Sequence, residues 1–362
     1  MIKKKQKEIF SFVLGTRPEV IKLAPLIRSC VLQKIPFEII ATGQHYEDVM
    51  FSDFWKELGL PKIQYQFVIP KNQHSLIVFA NLINQLTTLW TKKSAQKRIV
   101  LVQGDTNSTL VGAIVAKKLG LKLVHLESGF RSGNKNQPEE INRILVDELS
   151  DLNFAMDQAA LSELKKLGFK LAKNLFFVEN TSFESADYIL KKISKKIVVP
   201  SEPYVILTIH RAETVTNPKR MNEIIKYYFQ LQKRYKVIWV VHPRTRDILK
   251  KNNVLFVEPM GHGEFLAHLN SALIIISDSG GIVTEAKLLD KPLVILRKET
   301  EYQSIIQENR ATLVSPDLSS KKMYKLSLEF LKRFQGESST RKKFQFNKKN
   351  TNFILDRILK FV

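Results

Sequence analysis

Short apolar runs alternate along this chain with longer amphipathic stretches, and this alternation is the strongest constraint on its fold. In the first half the runs are IFSFVL, FEIIAT, IVLVQ and LKLVHL, and each is followed by a stretch with apolar residues at helical spacing. The runs are apolar along their length and do not alternate, which is typical of parallel strands buried on both faces. The pattern predicts an α/β fold with a doubly wound parallel sheet.

The same rhythm restarts after a charged segment with two prolines, with the runs YVILTI, KVIWVV, ALIIIS and PLVIL. A chain of 362 residues is long enough for two domains. We therefore predict two Rossmann-like domains, 1–186 and 204–338, joined by a linker at 187–203. The segment 339–362 ends in an amphipathic stretch that predicts a terminal helix docking on the domains. Open α/β sheets bind ligands beyond the carboxyl ends of their strands, so we expect a central cleft between the two domains.

Charge and cysteine content limit the possible functions. The excess of 57 Lys and Arg over 35 Asp and Glu gives a net charge of +22. The lysines are scattered, however, without a basic helix or a nucleic-acid-binding motif, so we expect no nucleic-acid partner. No apolar run reaches the ~20 residues of a membrane span, and we expect no membrane association. The single Cys30 can form no internal disulfide, which favours a cytoplasmic protein without a structural metal.

Two loops after strands of the first half carry charged side chains. The loop GTRPEVIK places Arg17 and Lys22 near a helix start, an outline of an anion site that also fits a plain strand-to-helix turn. A GxGxxG fingerprint is absent, so no dinucleotide cofactor is expected. In VQGDTNST, Asp105 directly follows a strand. A helix N-cap is its simplest role, but Ser108 and Asn107 can cap equally well, so Asp105 is a candidate for chemistry.

The segment HLESGFRSGNKNQPEEINRIL is unusually rich in ionisable residues. Glu127 ends a strand before a glycine-containing loop, and Glu139 and Glu140 lie in the first turn of the next helix, where one of the two can simply favour the helix dipole.

We expect Asp105, Glu127 and Glu139 to form a group of carboxylates suited to acid/base catalysis. Arg131 and Arg143 would temper the mutual repulsion. A structural salt-bridge network is the alternative.

Histidines paired with arginines follow two strands of the second half. His210 and Arg211 follow the run YVILTI, and His242, Arg244 and Arg246 follow the run VIWVV. Arginine and imidazole side chains both donate to phosphate oxygens, so these pairs predict a diphosphate pocket.

The strand ALIIIS is followed by Asp278, Ser279, Gly280 and Gly281 and then by a helix. Glycines let the backbone approach a ligand, and a helix start directs free N–H groups toward phosphate. Glu285 lies about one turn into that helix, where its carboxylate could accept hydrogen bonds from a ribose diol.

Seven short motifs occur in a family-specific order: GTRPEVIKLAPL, TGQHYEDVM, GDTNSTL, HLESGFRS…PEEINRIL, HRAET, HPRT and DSGGIVTEA. With them the chain resembles the UDP-N-acetylglucosamine 2-epimerase family over Gly15 to about Val314. The resemblance implies a glycosyltransferase-B-like fold. It also implies a reaction in which a base removes the proton at sugar C2 while UDP departs from C1, and readdition to 2-acetamidoglucal inverts C2. No cofactor or metal is implied.

The resemblance assigns roles residue by residue. The acidic catalytic residues match Asp105, Glu127 and Glu139, and the catalytic histidine matches His210. Gln44 and His45 match a motif that in some bacterial members contacts a second, activating UDP-sugar. The expected assembly is a homodimer. The residues expected to bind UDP or the sugar are Arg17, Lys22, Arg131, His210, His242, Ser279, Gly280, Gly281 and Glu285, with the backbone near Phe265 at the uracil.

Three departures from the family pattern affect substrate identity. Tyr302 stands in place of an arginine after the last strand, Ala212 replaces an arginine after His-Arg, and Glu179 replaces a glycine. The leading expectation is interconversion of UDP-N-acetylglucosamine and UDP-N-acetylmannosamine for surface polysaccharide synthesis. A modified substrate such as UDP-2,3-diacetamido-glucuronate, or a hydrolysing form that releases N-acetylmannosamine, stays open. The alternatives from other classes are a glycosyltransferase of the same fold and a nucleic-acid or acidic-surface binder driven by the charge of +22.

Overall fold

The computed structural model describes residues 8–43, 49–69, 74–93, 97–193, 197–300, 302–337 and 344–361. The chain divides into two compact units. The first unit runs to Ser185 and takes in the segment from Asn347 onward, whereas the second runs from Ala186 to Phe346.

The first unit contains a seven-stranded parallel sheet with strand order β3-β2-β1-β4-β5-β6-β7. Its strands are β1 (Ile9–Leu14), β2 (Phe37–Ala41), β3 (Tyr65–Gln66), β4 (Arg98–Gln103), β5 (Lys122–Leu126), β6 (Leu152–Ala155) and β7 (Leu175–Phe177). Its helices are α1 (Arg17–Gln33), α2 (Val49–Glu57), α3 (Ser75–Lys92), α4 (Asn107–Lys118), α5 (Pro138–Leu149) and α6 (Gln158–Lys166), and α7 (Ser182–Ile193) continues into the second unit.

The second unit contains a five-stranded parallel sheet with order β12-β11-β10-β8-β9. Its strands are β8 (Tyr204–Thr208), β9 (Lys236–Trp239), β10 (Ile274–Ser277), β11 (Leu293–Leu296) and β12 (Ala311–Val314). Its helices are α8 (Ala212–Val215), α9 (Pro218–Gln232), α10 (Pro243–Lys251), α11 (His262–Ser271), α12 (Gly280–Leu288), α13 (Gln303–Gln307) and α14 (Ser320–Gly336). The last helix of the chain, α15 (Asn350–Phe361), belongs to the first unit.

Both sheets are buried on their two faces, as the apolar runs predict. In β4 all six residues are buried, and in β10 all four are. Three buried polar side chains on these strands form hydrogen bonds with one another. Ser11 of β1 donates to Glu38 (2.6 Å), and Arg98 donates to the same carboxylate (2.9 Å). The strands thus form a continuous hydrophobic layer in each sheet, so side chains that bind ligands or catalyse reactions are expected beyond the ends of the strands.

Proline shapes the first helix. Pro25 lies inside α1, and because it has no N–H it leaves the carbonyl of Ile21 without its helical donor. The hydroxyl of Ser185 donates to that carbonyl (2.6 Å), and the hydroxyl of Thr181 donates to the neighbouring carbonyl of Lys22 (2.7 Å). The start of α7 is thereby attached to the middle of α1.

Some predicted boundaries need correction. The predicted linker 187–203 is partly helical, because α7 continues to Ile193, and its residues belong to the second unit. The terminal segment 339–362 does contain a helix, but residues 339–343 lie outside the described part. Four short strands, β3, β6, β7 and β12, were not predicted, since runs of two to four residues give little periodicity.

The C-terminal segment is attached to the first unit by side-chain hydrogen bonds. Asn350 donates to the carbonyl of Glu179 (2.9 Å), and the Glu179 carboxylate accepts from the backbone N–H of Asn347 (2.5 Å). Gln33 of α1 donates to Asn352 of α15 (3.0 Å). Glu179, one of the departures from the family pattern, therefore has a structural role. In the ranges described above, no helix has the length and apolarity needed to cross a membrane.

Candidate active site

The first sheet reverses its strand order between β1 and β4, and the loops that follow these two strands hold charged side chains. Such a switch point leaves a crevice at the carboxyl ends of the strands, where α/β proteins bind ligands. The loop after β1 leads into α1, and the loop after β4 leads to Asp105. The next strand, β5, ends one residue before Glu127. The structure thus brings the predicted loops to one edge of the sheet.

A buried carboxylate joins the first two of these loops. One oxygen of Glu19 accepts from the backbone N–H groups of Gly15 (2.8 Å) and Thr16 (2.6 Å). The other accepts from the hydroxyls of Thr106 (2.6 Å) and Thr109 (2.9 Å). Burial raises the pKa of Glu19 and outweighs these hydrogen bonds. Glu19 therefore fixes the spacing between the Arg17 turn and the Asp105 turn.

Glu127 has the most constrained geometry of the three candidate acids. Its backbone adopts φ = 64°, a left-handed conformation that is uncommon outside glycine and often found at functional sites. Its carboxylate accepts hydrogen bonds from the Lys22 ammonium group and from the Gln103 side chain. Only 14% of the side chain is exposed. A lysine that we expected to contact UDP therefore contacts the candidate base.

Asp105 forms an ion pair with Arg143 of α5, and the same guanidinium binds Glu140 (3.0 Å). Burial lowers the pKa of Arg143, but the opposing charges of Asp105 and Glu140 raise it more. Burial likewise raises the pKa of Glu140, and hydrogen bonds from the backbone of Ser132, from Arg143 and from the backbone of Gly133 lower it below its usual value. Glu140 is thus the structural member of its pair of acids.

Glu139 is exposed on the first turn of α5, beside its buried neighbour Glu140. Within the described residues no hydrogen bond joins Glu139, Asp105 and Glu127 to one another. Two of the three carboxylates instead have their own cation, Arg143 for Asp105 and Lys22 for Glu127. The expected tempering by arginine applies to Arg143, whereas Arg131 pairs with Asp147 (2.7 Å).

In the second unit the sheet reverses order between β10 and β8, and the loops after these two strands are tied together. Asp278 is fully buried after β10, and its carboxylate accepts from the backbone N–H groups of His210 (3.1 Å) and Arg211 (2.9 Å). The Nδ1 atom of His210 lies 3.0 Å from the same carboxylate. The carboxylate holds the proton on Nδ1 and leaves Nε2 of the partly exposed ring able to accept a proton.

His242 lies beside His210, with ring centroids 5.5 Å apart, and caps the start of α10. Its Nδ1 accepts from the backbone N–H of Arg244 (3.2 Å), which requires the neutral ring. Burial, the neighbouring His210 ring and the Arg244 guanidinium lower the pKa of His242, and the Asp278 carboxylate only partly offsets them. Arg244 itself donates to the backbone carbonyl of His210 (3.2 Å). The pair of histidines thus forms one cluster at the switch point.

The start of α12 has the form of an anion site. Ser279 precedes the helix, and Gly280 and Gly281 make up its first turn. A Cβ atom on Gly280 would lie 3.0 Å from the hydroxyl oxygen of Tyr302, so glycine makes room for this side chain. Tyr302, a departure from the family pattern that lies between β11 and β12, is therefore placed against the turn expected to bind the diphosphate.

Glu285, expected at the ribose, binds a neighbouring histidine. His262 Nε2 lies 2.8 Å from its carboxylate, and both side chains are largely buried.

Phe265, expected near uracil, is half-buried on α11. A cavity of about 650 Å³ in the same unit is bordered by Val257, Met260 and Glu264.

The remaining predicted site residues stand as follows. Arg17 is exposed at the first turn of α1, with its guanidinium carbon 5.7 Å from the ring centroid of Phe54. Gln44 and His45 lie outside the described residues. Across the described ranges, no three His, Cys, Asp or Glu side chains are grouped to hold a metal ion.

The sequence interpretation missed several partners of the candidate residues, and two of these partners lie at strand ends. Gln103 is the last residue of β4, and Asp278 immediately follows β10. The position of Asp278 at a strand end was a signal for function. Gln103 gives the same signal, because it is a polar residue at the carboxyl end of a buried strand.

Comparison with known proteins shows the family of this chain. The family model of UDP-N-acetylglucosamine 2-epimerase matches residues 31–354. The chain belongs to the UDP-N-acetylglucosamine 2-epimerase family. The UDP-N-acetylglucosamine 2-epimerase of Methanocaldococcus jannaschii is 37% identical over 324 residues, which cover 84% of this chain and 87% of the relative. The UDP-2,3-diacetamido-2,3-dideoxy-D-glucuronate 2-epimerase of Pseudomonas aeruginosa is 33% identical over 81% of this chain and 84% of its own length.

A solved structure of a 2-epimerase also matches closely. The crystal structure of the M. jannaschii enzyme in complex with UDP-GlcNAc and UDP superposes with a TM-score of 0.81 at 32% identity, covering 98% of this chain and all of that one. The predicted fold class, two Rossmann-like parallel α/β domains of the glycosyltransferase-B-like type, is confirmed.

Proposed function

We propose that this member of the 2-epimerase family interconverts UDP-N-acetylglucosamine and UDP-N-acetylmannosamine. Relatives at 33–37% identity bear 2-epimerase names, and a similar solved structure holds UDP-GlcNAc and UDP. The observation that carries the proposal is the Glu127 carboxylate, held in a left-handed turn at the end of β5 between Lys22 and Gln103. A fixed, largely buried carboxylate is suited to general acid/base catalysis.

The proposed reaction is an elimination followed by readdition. A base removes the proton at C2, the C1–O bond breaks, and its electron pair leaves with the β-phosphate oxygen of UDP. The product, 2-acetamidoglucal, then takes UDP back at C1 and a proton at C2 from the opposite face. We assign the acid/base steps to Asp105, Glu127 and Glu139.

In the second unit we assign binding of UDP to the residues around its switch point. With Nδ1–H held by Asp278, His210 can first accept a proton at Nε2 and then transfer it to the departing diphosphate or donate a hydrogen bond to it. The first turn of α12, with Gly280 and Gly281, offers backbone N–H groups to phosphate, and Glu285 can accept from the ribose hydroxyls. Lys22 serves Glu127 in this scheme and does not act primarily as a UDP ligand.

The first test is conversion of UDP-N-acetylglucosamine by the purified chain without an acceptor, in D₂O, followed by NMR. UDP-N-acetylmannosamine with deuterium at C2 is the expected product, because the acid group that returns a proton to C2 exchanges its own proton with the solvent. Release of UDP and free N-acetylmannosamine would instead identify a hydrolysing form. No reaction until an acceptor is added would favour a glycosyltransferase and contradict the proposal.

The same assay tests the three acids. Glu127→Gln and Asp105→Asn should lower kcat by ~10²–10⁴-fold with little change in UDP affinity. Glu139 and Glu140 form a matched pair, one exposed and one buried. Glu139→Gln should lower kcat without lowering the melting temperature, whereas Glu140→Gln should lower the melting temperature, because Glu140 holds two backbone N–H groups. Wild-type kcat in Glu127→Gln would rule out the assignment of the base.

A second substrate has support from the relatives. The P. aeruginosa relative bears the name of a 2-epimerase for a diacetamido-glucuronate, and Tyr302 lies where we expect an arginine near the sugar or diphosphate. UDP-2,3-diacetamido-2,3-dideoxy-D-glucuronate should therefore be assayed beside UDP-N-acetylglucosamine. A higher kcat/KM for the diacetamido sugar would shift the assignment to that substrate within the same chemistry.

We also propose a cytoplasmic homodimer that supplies the nucleotide sugar for surface polysaccharide synthesis. Two helices that pack on α4 carry exposed apolar side chains, Leu76 and Ile77 on α3 and Ile141 and Leu145 on α5, all between 43% and 69% exposed. Sedimentation velocity should show a dimer, and Leu76→Asp should weaken it. A monomer at micromolar concentration would contradict the dimer assignment.

A further inference from the structure

A fully buried histidine lies between two hydrogen-bond acceptors in the first unit. His125 of β5 has its Nδ1 atom 2.7 Å from a carboxylate oxygen of Asp147 and its Nε2 atom 2.9 Å from the backbone carbonyl oxygen of Gly104. A carbonyl oxygen can only accept, and an ionised carboxylate can only accept. If both contacts are hydrogen bonds to such acceptors, both ring nitrogens carry a proton, and His125 is an imidazolium ion.

The surroundings of Asp147 favour its ionised form. Besides His125, its oxygens accept from the backbone N–H of Gly129 (3.0 Å) and from the guanidinium of Arg131 (2.7 Å). Donors on three sides leave no acceptor for a carboxyl proton except the ring of His125. Asp147 is itself fully buried, and a buried charge is stable only when it is paired and hydrogen-bonded. Two cations around one carboxylate meet that condition.

The network holds the two turns that carry the candidate acids. Gly104 immediately precedes Asp105 and has φ = 75°; its carbonyl accepts from His125, while its N–H donates to the carbonyl of Leu126 (3.1 Å). On the other side, Gly129 lies two residues after Glu127, and its N–H is held by Asp147. Both peptide groups thus depend on the same buried pair of side chains.

We propose that His125 is a positioning residue, held as an imidazolium by Asp147, that fixes the Gly104 peptide and thereby the placement of Asp105. The proposal rests on the function proposed above, since it assigns a task within that active site. His125 touches none of the reacting atoms and acts through the backbone. A displacement of about 1 Å in a catalytic group can cost ~10²-fold in rate, so fixing this turn has a measurable consequence.

The protonation state can be tested without any enzyme assay. The chain has seven histidines, so ¹⁵N-histidine labelling gives few ring signals, and the His125→Gln spectrum assigns the one that disappears. At pH 7 we expect both ring nitrogens of His125 to carry a proton. A single protonated nitrogen would overturn the proposal.

Two amide variants separate the two hydrogen bonds. The amide nitrogen of glutamine occupies about the position of histidine Nε2, and that of asparagine about the position of Nδ1. His125→Gln should therefore keep the bond to Gly104, whereas His125→Asn should keep only the bond to Asp147. We expect kcat within ~5-fold of wild type in His125→Gln and ~10²-fold lower in His125→Asn, with KM changed less than kcat in both.

Hydrogen exchange provides a readout that does not depend on activity. Amides of residues 104–109 should exchange faster in His125→Asn than in His125→Gln or wild type. Ser11→Ala is the control, because it removes a buried hydrogen bond to Glu38 near the amino ends of the strands, and it should lower the melting temperature without changing kcat. Equal kcat and equal exchange in the two His125 variants would overturn the proposal. If the wild type fails to epimerise, the proposed function fails, while NMR and exchange still decide the role of His125.

Discussion

Replacing Asp278 by asparagine tests whether His210 takes part in proton transfer. The carboxylate of Asp278 serves three donors: the backbone N–H groups of His210 and Arg211 and the Nδ1–H of the His210 ring, at 2.9–3.1 Å. Asparagine offers only one oxygen to these donors. Its amide group must therefore face either the backbone of Arg211 or the ring of His210.

The two orientations have different costs. An amide directed at the backbone leaves the Arg211 N–H without an acceptor, which costs about 1–3 kcal/mol. An amide directed at the ring donates to Nδ1 and moves the ring proton to Nε2, which costs less because imidazole readily exists as either neutral tautomer. We therefore expect the second orientation. With a proton already on Nε2, the ring can no longer accept one from substrate or solvent.

The expected result is a loss of ~10²–10⁴-fold in kcat, or about 3–5 kcal/mol in the activation barrier, with a small change in melting temperature. Turnover would be measured by NMR and UDP affinity by calorimetry, where we expect a change below about tenfold. Asp317→Asn is a matched control, since it removes an exposed acid paired with Arg220 in the same unit, and it should leave kcat unchanged.

The double variant Asp278→Asn/His210→Asn gives the decisive comparison. If Asp278 acts through His210, the double variant should be no slower than His210→Asn alone. Independent, multiplying losses would refute this reasoning. A large drop in melting temperature with unchanged kcat per folded molecule would show that Asp278 serves only the backbone.

Two further predictions concern stability. Glu19→Ala should lower the free energy of unfolding by about 2–4 kcal/mol, because it leaves the N–H groups of Gly15 and Thr16 without acceptors; a loss below about 1 kcal/mol in urea titration would contradict this. The pKa of His242 is lowered in the folded chain, so its contribution to stability is present above the unfolded pKa of about 6.5 and is lost as pH falls through the folded pKa. His242→Asn keeps a helix cap without titrating, and should reduce the loss of melting temperature from neutral to mildly acidic pH; an identical pH profile would exclude His242 as the cause.

Much of the architecture follows from patterns between neighbours in sequence. Continuous apolar runs such as those of β1 and β4 predict strands buried on both faces, and the polar loops after them predict where chemistry lies. Such local patterns do not decide which of Glu139 and Glu140 is the structural acid, because the helix dipole favours a carboxylate at either position. The sequence motifs also indicate the family, which the comparisons show.

The partners of the candidate residues depend on contacts far apart in the chain. Lys22 and Glu127 are 105 residues apart, and His210 and Asp278 are 68 apart. These pairs form because each sheet reverses its strand order at one point, which makes strands that are not consecutive in sequence neighbours in space. Strand order is decided by packing of the whole sheet and leaves no signature in local periodicity.

The sequence by itself thus determined the type of fold, the loops that carry ionisable side chains and the residue types available for acid/base chemistry. Only the tertiary structure decided which of these side chains form hydrogen bonds and ion pairs with one another. It paired Lys22 with Glu127, placed the buried pair of His125 and Asp147 beside the turns that carry Asp105 and Glu127, and attached the C-terminal helix to the first unit. The physical reason is that strand formation and helix capping are set within a few residues, whereas hydrogen bonds between buried side chains form only after distant strands have packed side by side.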